Sequence, residues 1–255
     1  MNMRYLALDL KRVLRDPATL FFTAGLPLVL YLVFSGLNPQ ADEMLGSGRG
    51  NLSMYLMISM AAYGAATATS TVGGLAGVEK LQGWGRQLGL TPMTDGQFVA
   101  LKTVLGMIIA ALPIGLIFLT GWLTNAEATA QTWLVSALIT WAGSLLFALY
   151  GLLAALAFRT ESAVGAAGGV LVVLGFLGNM FLPLGGTMLQ IARFTPMYGY
   201  GQLTRYYLMD GVFIDGTSGT TFEDPLWVPL TNLIVWIVIF ALASVALVRR
   251  GRDRQ

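Results

Sequence analysis

Residues 132–158 read TWLVSALITWAGSLLFALYGLLAALAF, a run without a single charged side chain. An α-helix rises about 1.5 Å per residue, so about 20 apolar residues cross a bilayer core of roughly 30 Å. This run therefore predicts a transmembrane helix. The whole chain is 56% hydrophobic and 11% charged, whereas soluble domains carry roughly 25% charged residues. We expect an integral membrane protein whose fold is organised by the bilayer.

Five further apolar runs of similar length predict that the chain crosses the membrane six times. The predicted spans are residues 18–37, 52–76, 98–123, 132–158, 163–184 and 226–248. The predicted fold class is an all-α polytopic membrane protein. Its parts are an N-terminal segment (1–17), a transmembrane domain (18–248) with a loop at 78–94 and a further connecting segment at 185–225, and a basic tail (249–255).

Residue types exclude several function classes. The chain has no cysteine and no histidine, so it can form no disulfide, no Cys/His metal site and no Ser-His or Cys-His nucleophile. We therefore expect no catalytic residues and no metal in this chain. A net charge of +2 over 255 residues forms no basic stripe for nucleic acid.

The distribution of Lys and Arg predicts the orientation in the membrane. Twelve lie in the N-terminal segment, the 78–94 loop, the 158–163 connection, the tail and the start of the third span, and three lie on the opposite side. The richer side is expected to face the cytoplasm of a bacterial-type inner or plasma membrane. Six spans then place both termini in the cytoplasm.

The first 17 residues have the pattern of an amphipathic helix lying at the cytoplasmic interface. Apolar residues recur in this segment at helical spacing, and basic residues occupy most of the remaining helix surface. Asp16-Pro17 ends the helix before the first span. A plain orientation signal explains the same pattern. The candidate residues of the interfacial helix are Arg4, Leu6, Leu10, Lys11, Arg12 and Arg15.

The acidic residues bear on how transport could be driven. All thirteen Asp and Glu fall in connections or at predicted span ends. An ion-coupled transporter usually needs an ionisable group near the midplane, so this class is disfavoured. No GxxxxGK[ST] phosphate loop occurs either. If the chain moves a cargo, we expect a separate ATPase subunit to supply the energy.

Residues 78–94, VEKLQGWGRQLGLTPMT, interrupt two apolar runs with a charged and aromatic loop. Residues 79–90 can form a short helix presenting Leu81, Trp84, Leu88 and Leu90, closed by Pro92. Such a helix could seat in a groove of a soluble partner. A membrane-surface turn with an interfacial Trp is the alternative.

This loop resembles that of permease subunits of the type-two ABC exporters, the ABC-2 family. The similar features are Glu79-Lys80, Gly83, the apolar pair Leu88 and Leu90 with Thr-Pro at 91–92, and six spans after an amphipathic helix. Gly83-Trp84-Gly85 departs from the Gly-Thr or Gly-Ser step of many relatives. The resemblance implies a coupling helix docking on the ATPase subunit, built from Glu79, Lys80, Leu81, Gly83, Trp84, Leu88, Leu90 and Pro92.

The resemblance also implies two permease subunits, in a homodimer or a heterodimer, packed around a shared pathway, with ATP and Mg²⁺ bound by the ATPase subunit. The family's pathway lies between the second and fifth spans. Polar and aromatic residues of these spans are the candidate lining, although helix–helix hydrogen bonds would explain them equally well: Tyr63, Thr67, Thr71, Asn179 and Phe181.

The aromatic-rich segment 190–225 is expected on the external side, where the family has short re-entrant helices. It either gates the exit or anchors the fold. The sequence thus predicts an ATP-driven exporter permease for a hydrophobic or amphipathic cargo, such as a drug, an antibiotic, a lipid or a lipid-linked glycan. An ion-coupled secondary transporter and a non-transporting scaffold or signalling subunit are the alternatives.

Overall fold

The structure is a computed structural model and describes residues 8, 10–79, 95–158 and 162–252. Within this part the chain is mainly helical. The helices are α1 (Pro17–Gly36), α2 (Leu52–Glu79), α3 (Asp95–Leu123), α4 (Ala130–Gly143), α5 (Leu145–Phe158), α6 (Ser162–Leu177), α7 (Gly186–Ala192), α8 (Pro196–Met209) and α9 (Trp227–Arg252).

Helix α2 is the centre of the bundle, with α3 and α5 packed along it and α1, α6 and α8 also in contact. Most of its side chains are buried. Small residues allow this close packing. A Cβ atom added to Gly73 would lie 2.0 Å from the carbonyl oxygen of Ala148, and one on Gly151 would lie 1.9 Å from that of Ser70. The backbones of α2 and α5 therefore meet at positions that only glycine can occupy.

Helix α1 begins at a cap provided by Asp16. Its carboxylate accepts hydrogen bonds from the backbone N–H groups of Ala18 (3.1 Å) and Thr19 (3.3 Å), and Pro17 occupies the first helical position. The hydroxyl and backbone N–H of Thr19, with the Ala18 N–H, hold the pKa of Asp16 below its usual value. Residues 21–25 form a π-helical turn within α1.

Helices α4 and α5 follow one another with a break at Ser144. Backbone carbonyl groups at the break accept hydrogen bonds from side chains of other helices. Thr69 Oγ1 donates to the Ser144 oxygen (2.9 Å) and Tyr200 Oη to the Thr140 oxygen (2.7 Å). Side chains of α2 and α8 thus hold the interrupted helix in place.

Helix α6 is shorter than the predicted span at 163–184, because it ends at Leu177. Asn179 then adopts a left-handed conformation (φ 61°), and its side-chain oxygen accepts the Leu184 N–H at 2.7 Å. Left-handed residues of this kind end helices, and asparagine tolerates the conformation better than most residues. Residues 178–185 continue as irregular chain.

Between α6 and α9 lie α7, α8 and a β-hairpin that the sequence analysis did not predict. Strands β1 (Val212–Ile214) and β2 (Thr221–Glu223) are antiparallel, with Phe213 opposite Phe222. The backbone N–H groups of Ser218, Thr217 and Gly186 keep the pKa of Asp215 below its usual value. Asp215 therefore joins the hairpin turn to the start of α7.

Among the described residues, four helical stretches are long and apolar enough to cross a membrane: Pro17–Gly36, Leu101–Leu123, Ala130–Phe158 and Trp227–Leu247. This confirms a mainly helical membrane protein. Two of the six predicted spans are not among the four. Helix α2 is long but rich in small and polar residues, and the apolar stretch Val164–Leu177 is short. The count of six therefore stays a prediction.

Candidate functional site

Three charged side chains meet where α2 ends. Glu79, the last residue of α2, is almost buried, and its carboxylate lies 2.6 Å from Lys102 Nζ of α3. Its other oxygen lies 3.2 Å from Arg12 Nη1, which belongs to the helical residues 10–13 that precede α1. Lys102 is 5% exposed, whereas the Arg12 side chain is 67% exposed. We call Glu79, Lys102 and Arg12 the Glu79 cluster.

Apolar contacts support the Glu79 cluster from the bilayer side. Val13 is buried against Val72 of α2 and against Leu105 and Ile109 of α3, and Leu10 packs on the same group. The N-terminal segment is therefore bound to α2 and α3 by both charge and burial. Because the carboxylate and the ammonium group are almost removed from solvent, losing either would leave the other in a costly environment.

Most residues of the predicted coupling helix lie outside the described residues. These are Lys80, Leu81, Gly83, Trp84, Leu88, Leu90 and Pro92, and Glu79 is the one whose surroundings are described. Arg4 and Leu6 of the predicted interfacial helix also lie outside. Of the remaining candidates there, Leu10 is half-buried and Lys11, Arg12 and Arg15 are exposed. The coupling assignment therefore stays a prediction.

The predicted pathway residues of the second span line a groove between α1, α2 and α6, here called the Tyr63 groove. Its volume is about 470 Å³, and Tyr63, Thr67 and Thr71 form its α2 wall. The glycines at 165, 168 and 169 form part of its α6 wall, with no described atom within 4 Å of a Cβ placed on any of them. The groove is thus open beside α6.

The two threonines of this wall direct their hydroxyl protons into α2 itself. Thr67 Oγ1 donates to the Gly64 oxygen (2.8 Å) and Thr71 Oγ1 to the Thr67 oxygen (2.9 Å). Only acceptor lone pairs and methyl groups of these side chains are left for a ligand. These two side chains therefore offer no hydrogen-bond donor to an anionic molecule.

The predicted residues of the fifth span, Asn179 and Phe181, line a second groove. It has a volume of about 320 Å³ and lies at the end of α2 that carries Tyr55, so we call it the Tyr55 groove. The rings of Tyr63 and Phe181 are in edge-to-face contact, with centroids 4.9 Å apart. The structure thus divides the predicted lining between two grooves that meet at this aromatic pair. Their role in a pathway stays a prediction.

The sequence analysis missed a buried arginine. Arg205 of α8 is fully buried, and its guanidinium donates to Tyr55 Oη (2.8 Å), Ser59 Oγ (3.0 Å) and the Asn179 carbonyl oxygen (2.8 Å). The guanidinium also lies 4.6 Å from the centre of the Tyr55 ring. The sequence contains one local indication that Arg205 lacks an ion-pair partner within its own helix. The positions three and four residues away on the same helix face, 201, 202, 208 and 209, carry no acidic residue.

A second ion pair fixes the segment between α6 and α9. Asp224 is buried and accepts hydrogen bonds from Arg193 (3.1 Å) and from the Tyr198 hydroxyl, while Arg193 lies over the Phe222 ring. Burial, with the hydrogen bond to Asp224, raises the pKa of Tyr198 to about 12. These contacts join α7, α8 and the hairpin, and whether the segment gates or anchors stays a prediction.

Several membrane-length apolar helices around a buried central helix define this chain as a membrane protein. No protein-family model matches the sequence. The chain is 26% identical over 241 residues to the protein of Bacillus subtilis (strain 168) named "Putative transport permease YvfS", and the match covers 92% of each chain. The predicted resemblance to a membrane permease is therefore confirmed.

Proposed function

We propose that the chain is the permease subunit of an ATP-driven exporter of the ABC-2 type. The observation that carries the proposal is the Glu79 cluster. Glu79 is the residue at which α2 ends and the predicted coupling loop begins, and it pairs with Lys102 of α3 and Arg12 of the N-terminal segment. A displacement of the loop would therefore move α2, α3 and the N-terminal segment together.

The proposal assigns the energy source to other subunits. ATP and Mg²⁺ bind a separate nucleotide-binding subunit, which docks on the loop at residues 78–94, and a second permease copy completes the pathway. In this arrangement the Glu79 end of the bundle faces the cytoplasm, and six spans place both termini there. The residues 185–225 lie on the external side of the inner or plasma membrane.

The cargo in this proposal is hydrophobic or amphipathic, such as a drug, an antibiotic, a lipid or a lipid-linked glycan. The Tyr63 groove supports it, because its walls are mainly apolar and the hydroxyls of Thr67 and Thr71 donate within α2. The open face at Gly165, Gly168 and Gly169 is where the second permease copy would complete the pathway.

An ion-coupled transporter is the weaker alternative. Among the acidic side chains whose surroundings are described, Glu79 and Asp224 are buried. Glu79 lies at the end of α2 and pairs with Lys102, and Asp224 lies in the connection before α9 and pairs with Arg193. Neither offers a free carboxylate near the midplane for a coupling ion. A non-transporting scaffold would bind the ATPase without moving a cargo, so a transport assay separates it.

Replacing Trp84 by Ala together with Leu88 by Asp is expected to remove the ATPase subunit from the complex. The two side chains are the apolar contacts expected to fill the partner's groove, and a carboxylate in such a contact loses its hydration without gaining a partner. The measurement is the molar ratio of ATPase to permease after affinity purification in mild detergent. We expect a reduction of about tenfold, the ratio that about 1.4 kcal/mol of lost binding free energy gives.

The control is the double variant Trp122→Ala with Leu37→Asp. Both residues are strongly exposed, at 70% and 79%, and lie at the end of α3 and just after α1, away from the Glu79 cluster. This variant is expected to keep the wild-type ratio. Equal ATPase ratios for both variants and wild type, with unchanged transport, would contradict the coupling assignment.

A further inference from the structure

Arg205 carries a positive charge that neutral groups surround. Its Nη1 reaches the Tyr55 hydroxyl, the Ser59 hydroxyl and the Asn179 carbonyl, and its Nε reaches the Gly201 carbonyl at 3.0 Å. No described carboxylate pairs with it, and Asp210, five residues later in the sequence, pairs with Arg49 at 2.8 Å. The dipoles satisfy the N–H groups of Arg205 but do not neutralise its charge.

The Tyr55 groove lies directly beside this cation. Two partners of Arg205, Tyr55 and Asn179, line it, and the rest of its wall is mainly apolar, including Phe34, Leu56, Phe181 and Leu182. Tyr55 is the fourth residue of α2, so the polar part of the groove lies one turn from the helix end. With α2 placed across the bilayer as predicted, that is the depth at which lipid headgroups meet acyl chains.

Two hydrogen-bond donors remain for a ligand in this groove. The Tyr55 hydroxyl oxygen accepts from Arg205, which leaves its proton to donate, and the neighbouring cation makes that proton a stronger donor. The Asn179 side-chain oxygen accepts the Leu184 N–H, and no described residue accepts a hydrogen bond from the Asn179 amide nitrogen. Both donors belong to residues that line the groove.

We propose that the Tyr55 groove binds an anionic phospholipid. Its phosphate accepts hydrogen bonds from the Tyr55 hydroxyl and the Asn179 amide, an acyl chain lies along Phe34, Leu56 and Phe181, and its net negative charge balances Arg205. A zwitterionic lipid offers the same phosphate without the net charge, so the site prefers the anionic one. The inference does not depend on ATP-driven transport, because lipid binding requires neither the ATPase nor a cargo.

The test is competition between two lipids of identical acyl chains. The purified full-length chain is equilibrated in micelles with equal amounts of phosphatidylglycerol and phosphatidylcholine, and native mass spectrometry counts the retained lipids. Wild type is expected to retain phosphatidylglycerol about fivefold over phosphatidylcholine, a ratio that corresponds to about 1 kcal/mol of attraction between the lipid's net charge and Arg205. Tyr55→Phe keeps the ring over Arg205 but removes a donor that both phosphates would use, so retention of both lipids should fall about fivefold while the preference for phosphatidylglycerol remains.

Two further variants make the result specific. Tyr63→Phe removes a hydroxyl from the other groove and should keep both the wild-type retention and the wild-type ratio. Leu182→Trp places a larger side chain at a 58% exposed position of the Tyr55 groove without touching Arg205, and it should reduce retention of both lipids. The proposal is overturned if wild type shows no preference, if Tyr55→Phe and Leu182→Trp both retain lipid like wild type, or if inorganic phosphate alone displaces the phosphatidylglycerol.

Discussion

At the residue scale, Glu79 joins parts of the chain that are distant in sequence. Its carboxylate binds Lys102, 23 positions later, and Arg12, 67 positions earlier. The sequence analysis placed Glu79 at the start of the coupling loop because of the motif that follows it. It could not identify the ion pairs, because the partners of a buried charge depend on how the helices pack rather than on local sequence.

Glu79→Gln is expected to destabilise the protein by about 3 kcal/mol, because Lys102 would lose the carboxylate that pairs with it in a nearly buried site. Lys102→Met should also destabilise. The double variant should cost less than the sum of the two single variants by about 1–3 kcal/mol, since both remove the same interaction. Equilibrium unfolding in mixed micelles measures all three free energies.

Glu127→Gln is the matched control, because Glu127 is exposed in the connection after α3. Its free energy of unfolding should stay within about 0.5 kcal/mol of wild type. Strictly additive effects of Glu79→Gln and Lys102→Met would contradict a direct stabilising pair.

At the element scale, hydrophobic length predicted most of the bundle but not the way its helices end. The runs behind α1, α3, α4 with α5, and α9 are long and apolar, and the corresponding helices appear. The early end of α6 depends on Asn179 and its bond to Leu184, which average hydropathy does not register. Average hydropathy also fails to predict the β-hairpin, because its three-residue strands are too short to produce an alternating pattern.

Gly73→Ala should loosen the contact between α2 and α5. The new methyl group would lie 2.0 Å from the Ala148 carbonyl oxygen, so one backbone would have to move. We expect a loss of about 1–3 kcal/mol, typical of overpacking in a close-packed interior. Thermal unfolding of the purified protein in detergent measures the change.

Gly115→Ala on α3 is the paired substitution. No described atom lies within 4 Å of a Cβ at this position, so the change should be neutral or stabilise by about 0.5–1 kcal/mol through helix propensity. Equal effects at positions 73 and 115 would mean that the close α2–α5 contact contributes nothing.

At the scale of the whole molecule, the chain presents the Tyr63 groove and the open glycine face of α6 on one side. The proposed second copy would complete a pathway there, as the resemblance to ABC-2 permeases implies. The buried Arg205 lies elsewhere, beside the Tyr55 groove. From the sequence, the residues of both grooves form one predicted set. The contact between the Tyr63 and Phe181 rings, which separates the two grooves, depends on helix packing and cannot be predicted from spans two and five alone.

Gly169→Cys is expected to form a disulfide between two copies on mild oxidation in native membranes. The natural chain has no cysteine, so the introduced thiol can pair only with its equivalent or with another protein. Gly115→Cys, also exposed but on α3, should stay monomeric. Non-reducing electrophoresis detects the cross-linked dimer. A monomer band alone for both variants would contradict the placement of α6 at the interface between the copies.

The central claim is that this chain is the membrane half of an ATP-driven transporter. The most direct measurement is purification of the tagged full-length chain from native membranes in mild detergent, with bound proteins identified and quantified by mass spectrometry and ATP hydrolysis assayed on the complex. The account predicts one ATPase subunit per permease and measurable hydrolysis. A chain that purifies without any ATPase in several mild detergents would contradict it.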